Sequence, residues 1–192
     1  MKALLFHGPH SLSLVDREIP QPAPGQVLLK IAAAGICGTD VHILRGSAPA
    51  GAPVILGHEV SGEVAAVGSG VTHLKTGDRV TVDPNVYCGH CSFCRSGDVH
   101  LCVNNRCFGI YADGGFAQYA VISADFAYKL PDSMTWLEGA MVEPAACCMH
   151  GAEMAQYRTG DSLLIHGAGA IGALHVQYAR LRGVSTILVS DP

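Results

Sequence analysis

Gly57-His58-Glu59, taken with Cys37 upstream and Glu143-Pro144 downstream, gathers a thiol, an imidazole and two carboxylates. That mixture suits catalytic zinc, which takes soft and borderline ligands and keeps one position open for water or substrate. Nothing in the spacing forces these residues together, so their chemistry requires a fold that makes them converge.

A second cluster is local. Cys88-x2-Cys91-x2-Cys94-x7-Cys102 places four thiols in one short stretch. Two-residue gaps let successive sulfurs turn toward one centre, and four thiolates around zinc leave no open position. This predicts a closed structural site, with Arg95 and Arg106 close enough in sequence to offset its negative charge. The competing readings are disulfides or unrelated free thiols. The N-terminus lacks the long apolar core and small-residue cleavage site of a signal peptide. A reducing, cytoplasmic setting is therefore expected, where metal ligation outranks disulfides. Cys107, Cys147 and Cys148 fall outside the pattern and read as small core residues.

The third cluster is Gly167-Ala168-Gly169-Ala170-Ile171-Gly172. It follows an apolar run, Ser162–His166, and opens a helical pattern over Ala173–Arg182, which is the context a dinucleotide fingerprint needs. The glycines permit a tight turn and close backbone approach to a pyrophosphate, which a helix N-terminus favours. Asp191 ends the next apolar run. A carboxylate there accepts from ribose hydroxyls and repels a 2′-phosphate, so NAD is expected over NADP.

The bulk properties allow all three. The chain has 192 residues, 49% hydrophobic and 15% charged, which argues against disorder. A formal net charge of -4 and the lack of any Lys/Arg run exclude an electrostatic nucleic-acid surface. No apolar run approaches the roughly 20 residues of a membrane span.

The elements that must position these clusters change in period along the chain. Ala3–Phe6, Leu12–Val15, Val27–Ala33, Val60–Val67, Arg79–Val82, Gln118–Ile122 and Phe126–Leu130 read as short strands separated by turn residues. Such spacing predicts a barrel-like or sandwich-like β domain. Residues 37–45 predict a short helix with Thr39 or Asp40 at its N-cap. A helical segment starting at 133–139 and a helix over 143–157 follow, the latter with Pro144 in its first turn. Ser162–Ser190 then makes one β-α-β unit. The expected division is residues 1–150 and 151–192. Two parallel strands fall short of the five or six in a doubly wound domain, so the chain is expected to be the N-terminal part of a longer protein.

Gly35-Ile36-Cys37-Gly38-Thr39-Asp40-Val41-His42, Gly57-His58-Glu59, the four-cysteine loop, Glu143-Pro144 and Gly167–Gly172 occur here in that order. In this the chain resembles the zinc-dependent medium-chain dehydrogenases, most closely the polyol (sorbitol-type), threonine and butanediol dehydrogenase branch. The resemblance implies a GroES-like β-barrel-type catalytic domain and then the start of a Rossmann sheet, α/β plus β in class. It implies two zinc ions, one held by Cys88, Cys91, Cys94 and Cys102. The other would be held by Cys37 and His58, with Glu59 as ligand or close neighbour and Glu143 where alcohol dehydrogenases proper place a cysteine. Thr39 and His42 match a proton relay, and Gly167, Gly169, Ala170, Ile171, Gly172 and Asp191 match the NAD site. The implied reaction is hydride transfer from a secondary alcohol or polyol to NAD+, the proton leaving through Thr39 and the cofactor ribose to His42. Family members are commonly dimers or tetramers, so a homo-oligomer is expected of the full-length protein, and no activity of this part alone. The remaining histidines, His7, His10, His73, His90, His100, His150, His166 and His175, read as surface or core residues. Two rivals stand beside this reading. A zinc-free NADPH-dependent quinone or enone reductase should lack Cys37, the Gly-His-Glu set and the cysteine loop. A non-catalytic module would keep one structural zinc only.

Overall fold

The computed structural model describes all 192 residues, Met1 to Pro192. They form two compact units, Met1–Met141 and Val142–Pro192. The division lies ahead of the expected one after residue 150. Val142–Ala155 is one uninterrupted helix, and its Ala152 belongs to the core of the second unit.

The first unit is antiparallel β structure. β1 (Lys2–Gly8), β2 (Ser11–Asp16) and β4 (Val54–Ile55) make a three-stranded sheet in the order β2-β1-β4. β3 (Gln26–Gly35), β5 (Glu59–Val67), β6 (Arg79–Val82), β7 (Tyr119–Ser123) and β8 (Ala127–Lys129) make a five-stranded sheet in the order β7-β3-β5-β6-β8. The period-two pattern explains the core. Val27 and Leu29 on β3, Val60 and Val64 on β5, Val80 and Val82 on β6 and Ile122 on β7 pack with Phe108 into one apolar cluster. β4 escapes a pattern reading because two residues show no alternation. The run expected at Phe126–Leu130 opens instead with a 3-10 turn at Ala124–Phe126.

Three helices decorate this unit. α1 (Gly38–Leu44) is capped by Cys37, two residues before Thr39 and three before Asp40, the caps expected. α2 (Ser92–Ser96) lies in the cysteine loop, and α3 (Trp136–Ala140) begins at a Thr135–Glu138 capping box. The second unit contains α4 (Val142–Ala155), β9 (Ser162–His166), α5 (Ala170–Leu181) and β10 (Thr186–Ser190). β9 and β10 pair in parallel, Ser162 opposite Thr186 through His166 opposite Ser190. Ala152, Tyr157, Ala179 and Val184 form the buried core beneath them. No helix is long and apolar enough to cross a membrane.

The Ile55–Gly57 segment is held by the loop that follows Phe108. Gly114 donates to the Ile55 carbonyl at 2.8 Å, Gly115 to Gly57 at 2.8 Å and Phe116 to Leu56 at 2.9 Å. The approach is so close that a Cβ on Gly114 would collide with the Gly57 carbonyl oxygen and the Gly109 backbone. Backbone cannot swing aside as a flexible side chain does. Gly114→Ala should therefore lower unfolding free energy by about 1–3 kcal/mol, the usual cost of overpacking. Chemical denaturation measures it, and an unchanged midpoint would show that the loop is not tightly seated.

Candidate active site and metal centres

The first site is built by strand register. Gly35, the last residue of β3, pairs with Glu59, the first of β5. Cys37 lies two residues beyond β3 and His58 one residue before β5, so this pairing draws the three side chains, each able to ligate a metal, together. One ligand atom from each of Cys37, His58 and Glu59 lies within 4.8 Å of the other two. His58 and Glu59 are buried and Cys37 is half-buried. Gly35 is necessary to this arrangement. A Cβ there would strike the Glu59 Oε2 and come within 3.1 Å of the Glu59 Cβ.

Cys37 and Asp40 form a capping box at the start of α1. The Cys37 Sγ accepts from the Thr39 N–H at 3.4 Å, and the Cys37 N–H donates to Asp40 Oδ2 at 2.9 Å. The other Asp40 oxygen, Oδ1, stands 3.7 Å from His58 Nδ1, and both atoms are buried without a hydrogen-bond partner. Asp40 thus bonds the Cys37 backbone with one oxygen and faces the His58 ring with the other. From sequence alone Asp40 is a candidate helix cap and nothing more. The signal for its larger role was the spacing Cys-x-x-Asp, a capping box with sulfur in place of hydroxyl oxygen.

The electrostatics fit a cation. Burial pushes the Cys37 thiol up, the Thr39 hydrogen bonds pull it down, and the Glu59 charge raises it again. Burial also raises the Asp40 carboxyl, against hydrogen bonds from Cys37 and Gly57 and the nearby His58 ring. A thiol, an imidazole and a carboxylate on one centre are a catalytic-zinc donor set, with metal–ligand bonds of about 2.0–2.3 Å. The two orphaned atoms match the carboxylate–histidine–metal arrangement, in which the far ring nitrogen donates to a carboxylate. The residues present fit zinc.

The second site fits it as well. Cys91 and Cys94 Sγ are 3.5 Å apart, Cys91 and Cys102 3.9 Å, and Cys88 and Cys94 4.0 Å. Four sulfurs about 2.3 Å from one zinc ion have tetrahedral edges of roughly 3.8 Å, whereas a disulfide would bring a pair to about 2.05 Å. The Cys88 N–H donates to Cys102 Sγ at 3.3 Å and Asn104 Nδ2 to Cys88 Sγ at 3.6 Å. Backbone donation from His90 leads the effects that lower the Cys88 thiol to about 5, and donation from Cys94 leads those that lower Cys91. Burial and the Cys91 sulfur push Cys94 up to about 12. The thiols outside the tetrad differ among themselves. Cys148 is buried as expected, Cys107 is half-buried, and Cys147 is exposed, turned outward on α4 with its sulfur on Glu143 Oε1 at 3.6 Å.

Thr39 is half-buried in the first turn of α1, and exposed His42 follows one turn later on the same face. Glu143 is half-buried in the first turn of α4 and belongs to the second unit.

In the second unit α5 starts at Ala170, three residues ahead of the expected Ala173, with Gly169 as its N-cap and no side chain capping it. The first-turn N–H groups of Ala170, Ile171 and Gly172 have no intrahelical acceptor, which is the anion-holding end of a helix. Gly167 takes a left-handed φ of 100°, and a Cβ on Gly172 would collide with the Gly167 carbonyl. Asp191 Oδ2 accepts from the Ala168 N–H at 2.5 Å. The glycine-rich loop and the Asp191 carboxylate are therefore in direct contact.

A β-rich domain carrying these two clusters, followed by this turn, is the plan of a zinc-dependent medium-chain dehydrogenase. The alcohol dehydrogenase GroES-like domain family matches residues 23–132, and the chain belongs to that family. Among its relatives, the sorbitol dehydrogenase of Bacillus subtilis 168 is 37% identical over 196 residues, covering 100% of this chain and 56% of the relative. A protein described as a zinc-binding dehydrogenase of Sinorhizobium meliloti 1021, solved bound to NADP, has a TM-score of 0.96 at 42% identity over 98% of this chain and 55% of its own. The short chain alcohol dehydrogenase RspB of Escherichia coli CFT073, solved with NADH, has a TM-score of 0.93 at 40% identity over 98% and 56%. The chain spans a little over half the length of these relatives.

Two variants test the sites. Cys102→Ser should release the metal of the tetrad and lower the melting temperature, as metal analysis and calorimetry report. Asp40→Asn should weaken metal binding at the Cys37–His58–Glu59 site by about 10–100-fold, the usual range for such outer partners. Competition with a chelator measures it, and wild-type affinity would deny Asp40 its place.

Proposed function

We propose that this chain carries the metal-binding part and the start of the cofactor site of an NAD-dependent zinc dehydrogenase acting on a secondary alcohol or polyol. The observation that supports it most is the convergence of Cys37, His58 and Glu59 under one strand register, with Asp40 behind them. A zinc ion bound there would act as a Lewis acid and favour the alkoxide form of an alcohol at neutral pH. Cys37, His58 and Glu59 would hold it. The tetrad Cys88, Cys91, Cys94 and Cys102 would hold a second, structural zinc.

The chain's own groups then divide the remaining work. Thr39 accepts the alcohol proton as its own hydroxyl proton moves on by way of the cofactor ribose to His42, which is exposed and passes it to solvent. Relays of this kind contribute about 10²–10⁴-fold. The N–H groups at the start of α5 receive the pyrophosphate, and Asp191 receives the ribose hydroxyls. The same carboxylate supports NAD+ over NADP+, since it would repel a 2′-phosphate. The cysteine tetrad and Cys37 oppose the zinc-free reductase reading, and the intact first site opposes a purely structural module.

In the full-length protein, Cys37→Ser should abolish NADH formation with a panel of sorbitol, threonine and 2,3-butanediol while the bound zinc falls from two per chain to one. Full turnover in this variant would refute the assignment. Asp191→Ala should shift preference toward NADP+, read as the ratio of kcat/KM for the two cofactors.

A further inference from the structure

His42 sits at the end of α1, and the way the helix ends controls its ring. Gly46, at φ 76°, donates to Ile43 O at 3.0 Å, and Ser47 donates to His42 O at 2.9 Å. These two bonds are a Schellman ending, which sets the residue after the glycine firmly above the last turn. That residue is Ser47. Its Oγ is 3.1 Å from His42 Nδ1 and 3.1 Å from the His42 carbonyl oxygen.

A serine hydroxyl has one hydrogen to donate. A carbonyl oxygen can only accept. If the hydrogen pointed to the ring, two oxygens would face each other at 3.1 Å with no hydrogen between them. Both contacts are satisfied together in one way, with Oγ–H donating to the carbonyl and Nδ1–H donating to Oγ. Which imidazole nitrogen holds the proton is set by the bond the other nitrogen makes. Nε2 is then left bare as the accepting atom.

From this geometry we propose that Ser47 is a positioning residue that holds His42 as the Nδ1–H tautomer, so that Nε2 is the proton acceptor of the relay. The proposal rests on the relay reading above. It gives the glycine turn after α1 a role beyond ending the helix, since Gly46 places Ser47 and Ser47 sets the ring.

The test is two-bond ¹H–¹⁵N correlation on protein labelled at its histidines, at a pH above their titration range. The His42 signal is assigned by its loss in His42→Gln. Wild type should show the Nδ1–H pattern, Ser47→Ala should move His42 mainly to Nε2–H, and Ser47→Thr should restore it. An Nε2–H pattern in wild type, or no change in Ser47→Ala, overturns the proposal. In the full-length protein Ser47→Ala should lower kcat about tenfold at unchanged KM, a part of the relay's contribution, with recovery in Ser47→Thr. A loss in KM alone would overturn the positioning role. Unchanged kcat in His42→Gln would overturn the relay reading itself, and the tautomer spectrum distinguishes that failure from failure of the lock.

Discussion

The pairing of Gly35 with Glu59 is the constraint on which the first site depends. Alternate residues of a strand face opposite ways, so a slip of one residue between β3 and β5 would turn Glu59 away from Cys37. The β3–β5 ladder contains two irregularities, between Leu28 and Leu29 and between Ile31 and Ala33. Bulges add a residue to one strand and re-aim the side chains beyond it. The second falls between the apolar body of β3 and its ligand-bearing end. It lets the strand bury Val27 and Leu29 in the core and still bring Gly35 opposite Glu59. The absence of a side chain at Gly35 leaves the space that the carboxylate occupies.

The same economy governs the polar groups. Burying a carboxylate and an imidazole is costly unless they are paired or bound to a metal. Asp40 meets part of that cost through the Cys37 N–H, and its other oxygen faces the unpartnered His58 Nδ1 at 3.7 Å, an arrangement that a metal on the far side of the ring would complete. The 109–116 loop closes on the Ile55–Gly57 backbone from the other side and fixes where His58 begins. Helix cap, strand register and glycine loop each hold a different ligand, so the ligands do not depend on one flexible segment.

The two metal-suited clusters differed in legibility for a physical reason. The tetrad is local, and its spacing alone turns four sulfurs inward. The glycine fingerprint is local too, and its neighbours identified it as a strand–turn–helix. The first site is non-local: residue type suggests Cys37, His58 and Glu59 as zinc donors, but no spacing brings them together, and the ordered resemblance to a family supplied the fold that does. Asp40 was present in that motif, yet its contact with His58 links α1 to the start of β5 and has no sequence period. Cap position, the start of α5 and the two-residue β4 were displaced or missed because terminal residues are set by hydrogen bonds that propensity does not encode. Cys147 was taken for a core residue from its type, but the face of α4 decides exposure.

By itself the sequence determined the β-rich beginning, the switch to a β-α-β unit, the cysteine tetrad and the glycine-rich strand–helix turn. Each of these is written in residues near one another in the chain, where steric limits and side-chain period act directly. Tertiary structure decided which carboxylate meets His58, why residue 35 has no side chain and how Ser47 faces His42. Those outcomes depend on register and on the geometry of a helix ending, which are settled by packing between segments that the sequence lists far apart.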